Sequence, residues 1–380
     1  MSDIYASIGN AFVGTATPYY VEQGHFYLES NNIKDGQINH NLEIFINDEF
    51  YEKQKDKWLH TGDMVMVQSG HVGHAAVIPE ELDNSAAHAL IMFRHPKEKL
   101  EPYFLNYQFQ TDKCKKKIEG ITTGNTIKHI LASDMQEFVV DMPQYDEQKI
   151  IGEYFIKIDN LITLHQRKYD ETKELKKYML QKMFPKNGEK KPEIRFEGFT
   201  DDWEQRKVSD LGNIVTGSTP PTKDKSNYDG EFLFVSPADI QGNRYVTNTI
   251  TTLTEQGFNK GRILKEKSTL FVSIGSTIGK VAQTLEKSTT NQQINAIEPY
   301  CEFDEDFVFT LMEKTSGQIK SLAATQAVPI VNKTSFGEVE INVPLDIAEQ
   351  IKIGVYFRNL DNLITLHRRT YHHKNRRTYK

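Results

Sequence analysis

The stretch Asp159–His165, "DNLITLH", occurs a second time, letter for letter, at Asp361–His367. The likeness extends to both sides. "IIGEYFIKIDNLITLHQRKY" (Ile150–Tyr169) is answered by "KIGVYFRNLDNLITLHRRTY" (Lys352–Tyr371) at a constant offset of 202 residues (361 − 159). A match of that length at one offset is an internal repeat, and a repeat constrains the architecture before any single element does. Both copies read as helices. Steps of four and three residues pick out Ile151, Phe155, Ile158, Ile162, His165, Tyr169 and Thr172 in the first copy. In the second they pick out Ile353, Phe357, Leu360, Ile364, His367 and Tyr371. This is a heptad-like seam for helix–helix contact, apolar except for a histidine at the same layer of each copy. The first helix continues through "DETKELKKYMLQKMF", where Met179 and Met183 extend the seam until Pro185 and Gly188 end it. Roughly 38 residues at ~1.5 Å each make a rod of about 57 Å. Such a rod needs a partner along its stripe, and the simplest partner is the other copy. Two readings of His165 and His367 stay open. They meet across the pair as a polar register key, or each is satisfied by a local hydrogen bond, and the local bond is the expectation.

Between the helices the pattern changes. "DMVMVQSG" (Asp63–Gly70), "EFVVDMP" (Glu137–Pro143), "FLFVSP" (Phe232–Pro237), "TLFVSIG" (Thr269–Gly275) and "EVEINVP" (Glu338–Pro344) are short runs rich in Val, Ile and Phe. Bounded by Gly, Pro or Ser, they read as strands. Helix-like stretches such as "YFLNYQFQTDKCKKKIEG" (Tyr103–Gly120) intervene. The blocks echo one another too: "SIGNAFVGTATP" (Ser7–Pro18) answers "DLGNIVTGSTPP" (Asp210–Pro221), and each block ends in Pro and "EQ". The expected fold class is α/β (α+β): two similar mixed α/β domains separated by two long antiparallel coiled-coil helices, with a pseudo-twofold internal repeat. The boundaries fall at 1–145 for the first domain, 146–186 for the first spacer helix, 187–203 for a linker, 204–345 for the second domain and 346–380 for a shorter second helix.

Composition sets limits on function. The chain has 380 residues, 38% hydrophobic and 26% charged, ordinary for a globular protein. No run of about 18 apolar residues spans a membrane. "MSDIYASIGNAF" lacks the basic and apolar regions of a secretory signal. Cys114 and Cys301 stand far apart without CxxC spacing, so neither a disulfide framework nor a zinc site is expected and a reducing cytoplasm fits. The net charge of −6 argues mildly against nucleic acid, but its distribution is uneven. Leu366–Lys380 holds six Lys/Arg and no acid, and Ile158–Lys191 holds nine Lys/Arg against five Asp/Glu.

A catalytic site is hard to find. "GSTIGKV" (Gly275–Val281) has three residues between its glycines where a phosphate loop needs four, and Val281 where a Ser or Thr should hold magnesium. No Gly-rich turn with an acidic ribose ligand marks a methyl-donor pocket, and no "NPPY"-type motif for base methylation is present. His372–His373 lack acidic or Cys partners for a metal. The polar, glycine-flanked loops offer a different chemistry. Arg and Lys suit guanine, Asn and Gln suit adenine, and hydroxyls and main-chain amides hold phosphates. Candidate DNA-contacting residues in the first domain are Gln68, Ser69, His71, His74, Thr122, Thr123, Asn125, Thr126 and Lys128. In the second they are Ser273, Ser276, Thr277, Lys280, Gln292, Gln293, Asn295, Thr325 and Gln326. Each singly reads at least as well as a turn residue that caps or solvates its loop.

Several segments carry a family likeness: the "EQ…I…F…(I/L)D.LI" start of each long helix, "LKKYMLQKMFP", "PEIRFEGFTDDWEQRKVSDLGNIVTGSTP" and "SIGSTIGKV…NQQINAI". The chain resembles, over nearly its whole length, the specificity subunit of type I restriction–modification systems. The resemblance implies a non-catalytic subunit with two target-recognition domains, each reading one half of a bipartite double-stranded DNA target. The helices would set the gap and dock two methyltransferase subunits, and restriction/translocase subunits would join them. S-adenosylmethionine, ATP and Mg would be bound by those partners rather than by this chain. Relative to the family, the first head begins without a lead-in like "PEIRFEGFTDDWEQRKVSDLG" and the second helix ends early, so both ends are expected to be shortened. The alternative from another class is a truncated helical scaffold that recognises no sequence.

Overall fold

The computed structural model describes residues 1–124, 128–186, 188–323 and 330–377, with side chains described as far as Arg369. The chain divides into two compact units. One is built on Met1–Leu164, with the chain from Tyr371 on, and the other on His165–Thr370.

In the first unit β1 (Tyr5–Asn10), β2 (Met64–Val67), β3 (Ala75–Val77) and β4 (Leu90–Pro96) form an antiparallel sheet in the order β1-β4-β2-β3. Every residue of β2 is buried because both faces of the sheet are covered. Met64 and Met66 pack towards α1 (Pro102–Phe109) and α2 (Asp112–Ile121) through Phe104, Leu105, Phe109 and Ile118. Val65 and Val67 join the opposite cluster with Leu28, Ile33 and Leu59. That is the two-residue side-chain period of a strand read on both faces.

The second unit repeats this plan. β6 (Gly212–Thr216), β7 (Thr269–Val272), β8 (Val281–Thr284) and β9 (Ile294–Pro299) follow the order β6-β9-β7-β8, with Tyr245–Val246 added at the far edge. Phe271 faces one core, and Leu270 and Val272 face the other. Even a two-residue parallel pairing recurs, Tyr27–Leu28 on Ala86–Ala87 and Phe234–Val235 on Thr289–Thr290.

Two local expectations change. "YFLNYQFQTDKCKKKIEG" is two helices, because Thr111 Oγ1 accepts the Cys114 N–H at 3.3 Å and starts α2 afresh. The second unit has one 18-residue helix there, α5 (Glu305–Leu322). "EFVVDMP" is not a strand. A β-type run becomes a strand only where another takes its main-chain groups. Here the carbonyls of Gln136 and Phe138, after α3 (Ala132–Gln136), accept from the Met1 amino group at 3.1 and 2.5 Å. The corresponding "EVEINVP", which follows α6 (Lys333–Gly337), does form β10 (Glu340–Val343), paired with β5 (Glu204–Lys207).

The long helices are α4 (Tyr145–Lys182) and α7 (Ile347–Arg377). The two "EQ" glutamines do the same job. Gln148 accepts from Glu101 N at 3.2 Å and donates to Pro143 O at 2.8 Å. Gln350 accepts from Asp304 N at 3.1 Å and donates to Pro344 O at 3.0 Å. Gly152 and Gly354 let each helix lie against the start of the head helix. A Cβ at Gly354 would sit 2.8 Å from Phe307 N, and one at Gly152 3.4 Å from Phe104 N.

Within the second unit α4 runs antiparallel to α7, since Lys176 meets Asp361 while His165 meets His367. Ile353, Phe357 and Leu360 are buried with Met183 and Phe184 of the first helix segment and with Phe307, Val308, Leu311 and Met312 of the head. The seam therefore serves three elements at once, while Ile364 is only half-buried. In the first unit Ile151 joins the head core and Phe155 lies against the Tyr107 ring at 5.0 Å, with Ile158 and Ile162 half-buried. The local hydrogen bond expected for the histidines is corrected: His165 Nδ1 and His367 Nδ1 face each other at 3.1 Å. A neutral imidazole carries one donor and one acceptor, so identical residues brought together by an antiparallel repeat can satisfy one another.

A chain of buried charges fixes the same helix pair. Lys176 Nζ lies 2.6 Å from Asp361 and 2.5 Å from Glu313. Arg244 bridges Asp361 at 3.1 Å and Asp306 at 2.6 Å, and Arg358 closes on Asp306 at 2.5 Å. Burial pushes the Glu313 carboxyl up, against the pull of Lys176.

Candidate nucleic-acid interface

The candidate residues gather on two loops at one end of each sheet. In the first unit the loop from Gln68 to His74 joins β2 to β3. It turns tightly because Val67 N donates to His74 O at 2.8 Å and Gly73 N donates to Val67 O at 3.0 Å. Gly70 and Gly73 have φ of +79° and +88°. A Cβ at Gly73 would also meet Ile118 at 2.9 Å, so only glycine fits there. The second loop follows α2, where Thr123 and His129 exchange main-chain bonds at 2.9 and 2.8 Å. Gly70 N to Lys128 O at 3.1 Å and Ile130 N to Gln68 O at 2.9 Å zip the two loops together.

Beneath them lies a cavity of about 320 Å³ lined by His71, His74, Thr122 and Lys128, joined by Lys115 and Glu119 of α2 and the Asp35–Gly36 turn. His71, Thr123 and Lys128 are exposed, and Gln68, Ser69, His74 and Thr122 are half-buried. Burial holds the His74 imidazole below its ordinary range, opposed by Asp35 and helped by His71, Lys115 and Lys34. Its Nδ1 accepts from Asp35 N at 3.2 Å, so the neutral ring presents its other nitrogen as a donor. Asn125 and Thr126 lie outside the described residues.

The second unit holds the same frame with other side chains. Val272 N donates to Lys280 O at 2.9 Å, Gly279 N to Val272 O at 3.0 Å and Val331 N to Ser273 O at 2.9 Å. Ile274 bridges Ile330 as Ser69 bridges His129. Ser276 and Gln292 are exposed, and Thr277 and Gln293 half-exposed. Gln292 Oε1 accepts from Thr219 at 2.6 Å, and Gln293 Oε1 accepts from Asn291 at 3.1 Å. Lys280 reaches back to Ile240 O at 3.0 Å.

Two candidates are corrected. Ser273 and Asn295 are each 2% exposed. Asn295 donates to Ser273 Oγ at 2.9 Å and accepts from Thr216 at 2.6 Å. Their polar atoms are committed to holding loops and strand together and do not face outward. Thr325 and Gln326 lie outside the described residues. Sequence reasoning missed Lys115, Glu119 and Asp35; the amphipathic "KCKKKIEG" turn was the signal for the first two.

One protein family matches nearly all of this frame. The sequence profile described as "Type I restriction modification DNA specificity domain" fits residues 27–174 and again 200–372. The chain belongs to that family. The HindI type I restriction enzyme specificity subunit of Haemophilus influenzae is 30% identical over 171 residues, 43% of this chain and 37% of that protein. The putative MjaX specificity subunit of Methanocaldococcus jannaschii is 26% identical over 315 residues, 79% of this chain and 71% of that one. This chain thus spans under two fifths of the Haemophilus relative. The solved S subunit from M. genitalium superposes with a TM-score of 0.69 at 13% identity, covering 99% of this chain and 91% of that one, which establishes a shared fold. Among the described residues no group of three or more His, Cys, Asp or Glu can hold a metal ion, and no helix is long and apolar enough to cross a membrane.

Proposed function

We propose that this chain is the sequence-reading subunit of a type I restriction–modification complex. Each head reads one half of a bipartite DNA target, and the long helices set the unread gap and dock two methyltransferase subunits. The observation that supports this reading is the duplication: two heads with one strand order each present the same zipped loop pair with different side chains. Duplex DNA repeats its groove face every ~34–36 Å, so rigid helices between two readers turn distance into a gap length. Adenine methylation with S-adenosylmethionine, and ATP- and Mg-dependent translocation and cutting, belong to partner subunits in the cytoplasm.

The test is methylation mapping of genomic DNA with the complete complex. One helical turn is inserted in both long helices, after Arg167 and after Arg369, clear of the packed stretch that begins at Lys176. The gap should change and both half-sites stay the same. An unchanged gap would refute the ruler, and methylation independent of this chain would favour a mere scaffold.

A further inference from the structure

We propose that the first unit carries a docking surface for a segment of a partner polypeptide: a helix bringing a lysine to Asp159 and an apolar side chain between Phe104 and Phe155, followed by an arginine for Glu147. The argument is a comparison of equivalent places in the two units and is independent of DNA reading. The 202-residue offset maps Glu147, Ile151, Tyr154, Phe155 and Asp159 onto Glu349, Ile353, Tyr356, Phe357 and Asp361. The contacts of the two helix glycines map Phe104 onto Phe307.

In the second unit one continuous stretch, Lys176–Trp203, covers that surface. Lys176 pairs with Asp361 at 2.6 Å. The Phe184 ring lies 6.1 Å from both Phe307 and Phe357. Phe196 packs on Tyr356 at 6.2 Å. Arg195 grips Glu349 with two hydrogen bonds at 2.8 and 2.9 Å, and Glu349 is 1% exposed.

In the first unit the same places are open. Phe104, Tyr107, Ile151, Phe155 and Asp159 line a cavity of about 230 Å³. Asp159 accepts from the Tyr107 hydroxyl at 2.7 Å, and no Lys or Arg among the described residues pairs with it. Burial holds its carboxyl above the usual range, as expected of an acid at the rim of an apolar pocket. Tyr154 is 60% exposed, and Glu147 is exposed too. The residue at the offset position of Lys176 is Thr378, which has no charge to offer. Two acids flanking an apolar cavity define the occupant's chemistry: the lysine, apolar and arginine order of Lys176–Trp203.

The probe is a labelled peptide of residues 170–203, titrated into the whole chain and followed by fluorescence anisotropy. Saturable 1:1 binding is expected, weakened at least about fivefold by D159N or E147Q in the chain and by K176Q in the peptide. D159N and K176Q together should cost no more than either alone, since they remove one contact. Unchanged melting temperatures for D159N and E147Q establish that the variants fold. Absence of saturable binding, or binding indifferent to both acid variants because the peptide displaces its own copy in the second unit, would overturn the proposal. So would self-association of the chain that D159N abolishes, since the occupant would then be a second copy.

Discussion

Replacing Lys176 by methionine isolates the charge network that holds the first long helix in the second unit. Methionine keeps the stem's apolar contacts and removes only the ammonium. Asp361 retains Arg244 at 3.1 Å, so the loss falls on Glu313, whose nearest cation was Lys176 at 2.5 Å. Orphaning one partner of a fully buried pair costs about 3–5 kcal/mol. Glu313 keeps 33% of its side-chain surface, so solvent screening brings the expected cost to about 2 kcal/mol. For a unit of this size that is a fall of about 4–8 °C in the melting step assigned to it. The cost must depend on pH. Burial already raises the Glu313 carboxyl above its ordinary value, and loss of Lys176 raises it further. A carboxyl raised in the folded state binds more protons folded than unfolded, so stability falls as pH rises from the ordinary carboxylate range through the raised value. K176M should therefore be close to wild type near pH 4.5 and weakest near pH 8. Replacing the orphan as well, in K176M/E313Q, should recover most of the loss at pH 8. Calorimetry of the whole chain at both pH values, with hydrogen exchange to assign the step to α4, reads all of this. A K176M deficit that is flat in pH, or that E313Q leaves untouched, would refute the reasoning.

A double-mutant cycle of H165L and H367L should give a coupling of about 1 kcal/mol at pH 8, and additive effects would mean that the two rings do not share a hydrogen bond. N295A should lower the melting temperature of the second unit by the cost of an unmade buried hydrogen bond, about 1–3 kcal/mol, whereas Q292A should leave stability unchanged and shift the bases selected in one half-site. In filter binding with the assembled complex, K115A and K128A should weaken all DNA sequences alike. Each should flatten the salt dependence by about one unit of slope, and a change confined to one sequence would count against phosphate contact.

Periodicity is local, so the helices were legible from "DNLITLH" and its flanks, and the heads followed from the blocks between. What surrounds a repeated residue is not local. Asp159 and Asp361 sit in identical heptapeptides, yet one is a half-buried acid beside a tyrosine and the other is held by Lys176 and Arg244. Those cations come from distant stretches that the repeat does not share. The same limit explains "EFVVDMP", whose composition reads as a strand but whose carbonyls are taken by an amino group. It explains Ser273 and Asn295 as well: residue type marks a polar loop, but only the packing of two loops decides which polar atoms turn inward.

The loop frame itself shows why sequence likeness between the heads fades where function should lie. Gln68 and Ser273, Ser69 and Ile274, His74 and Lys280, and His129 and Ile330 occupy matching places through main-chain bonds alone. Main-chain N–H and C=O groups are the same in every residue, so the frame puts no chemical demand on those side chains beyond the glycines at its turns. A surface built that way can change its donors and acceptors one residue at a time without losing its shape. Two copies can therefore diverge until only their glycines, the sheet order beneath and the helices between still declare them alike.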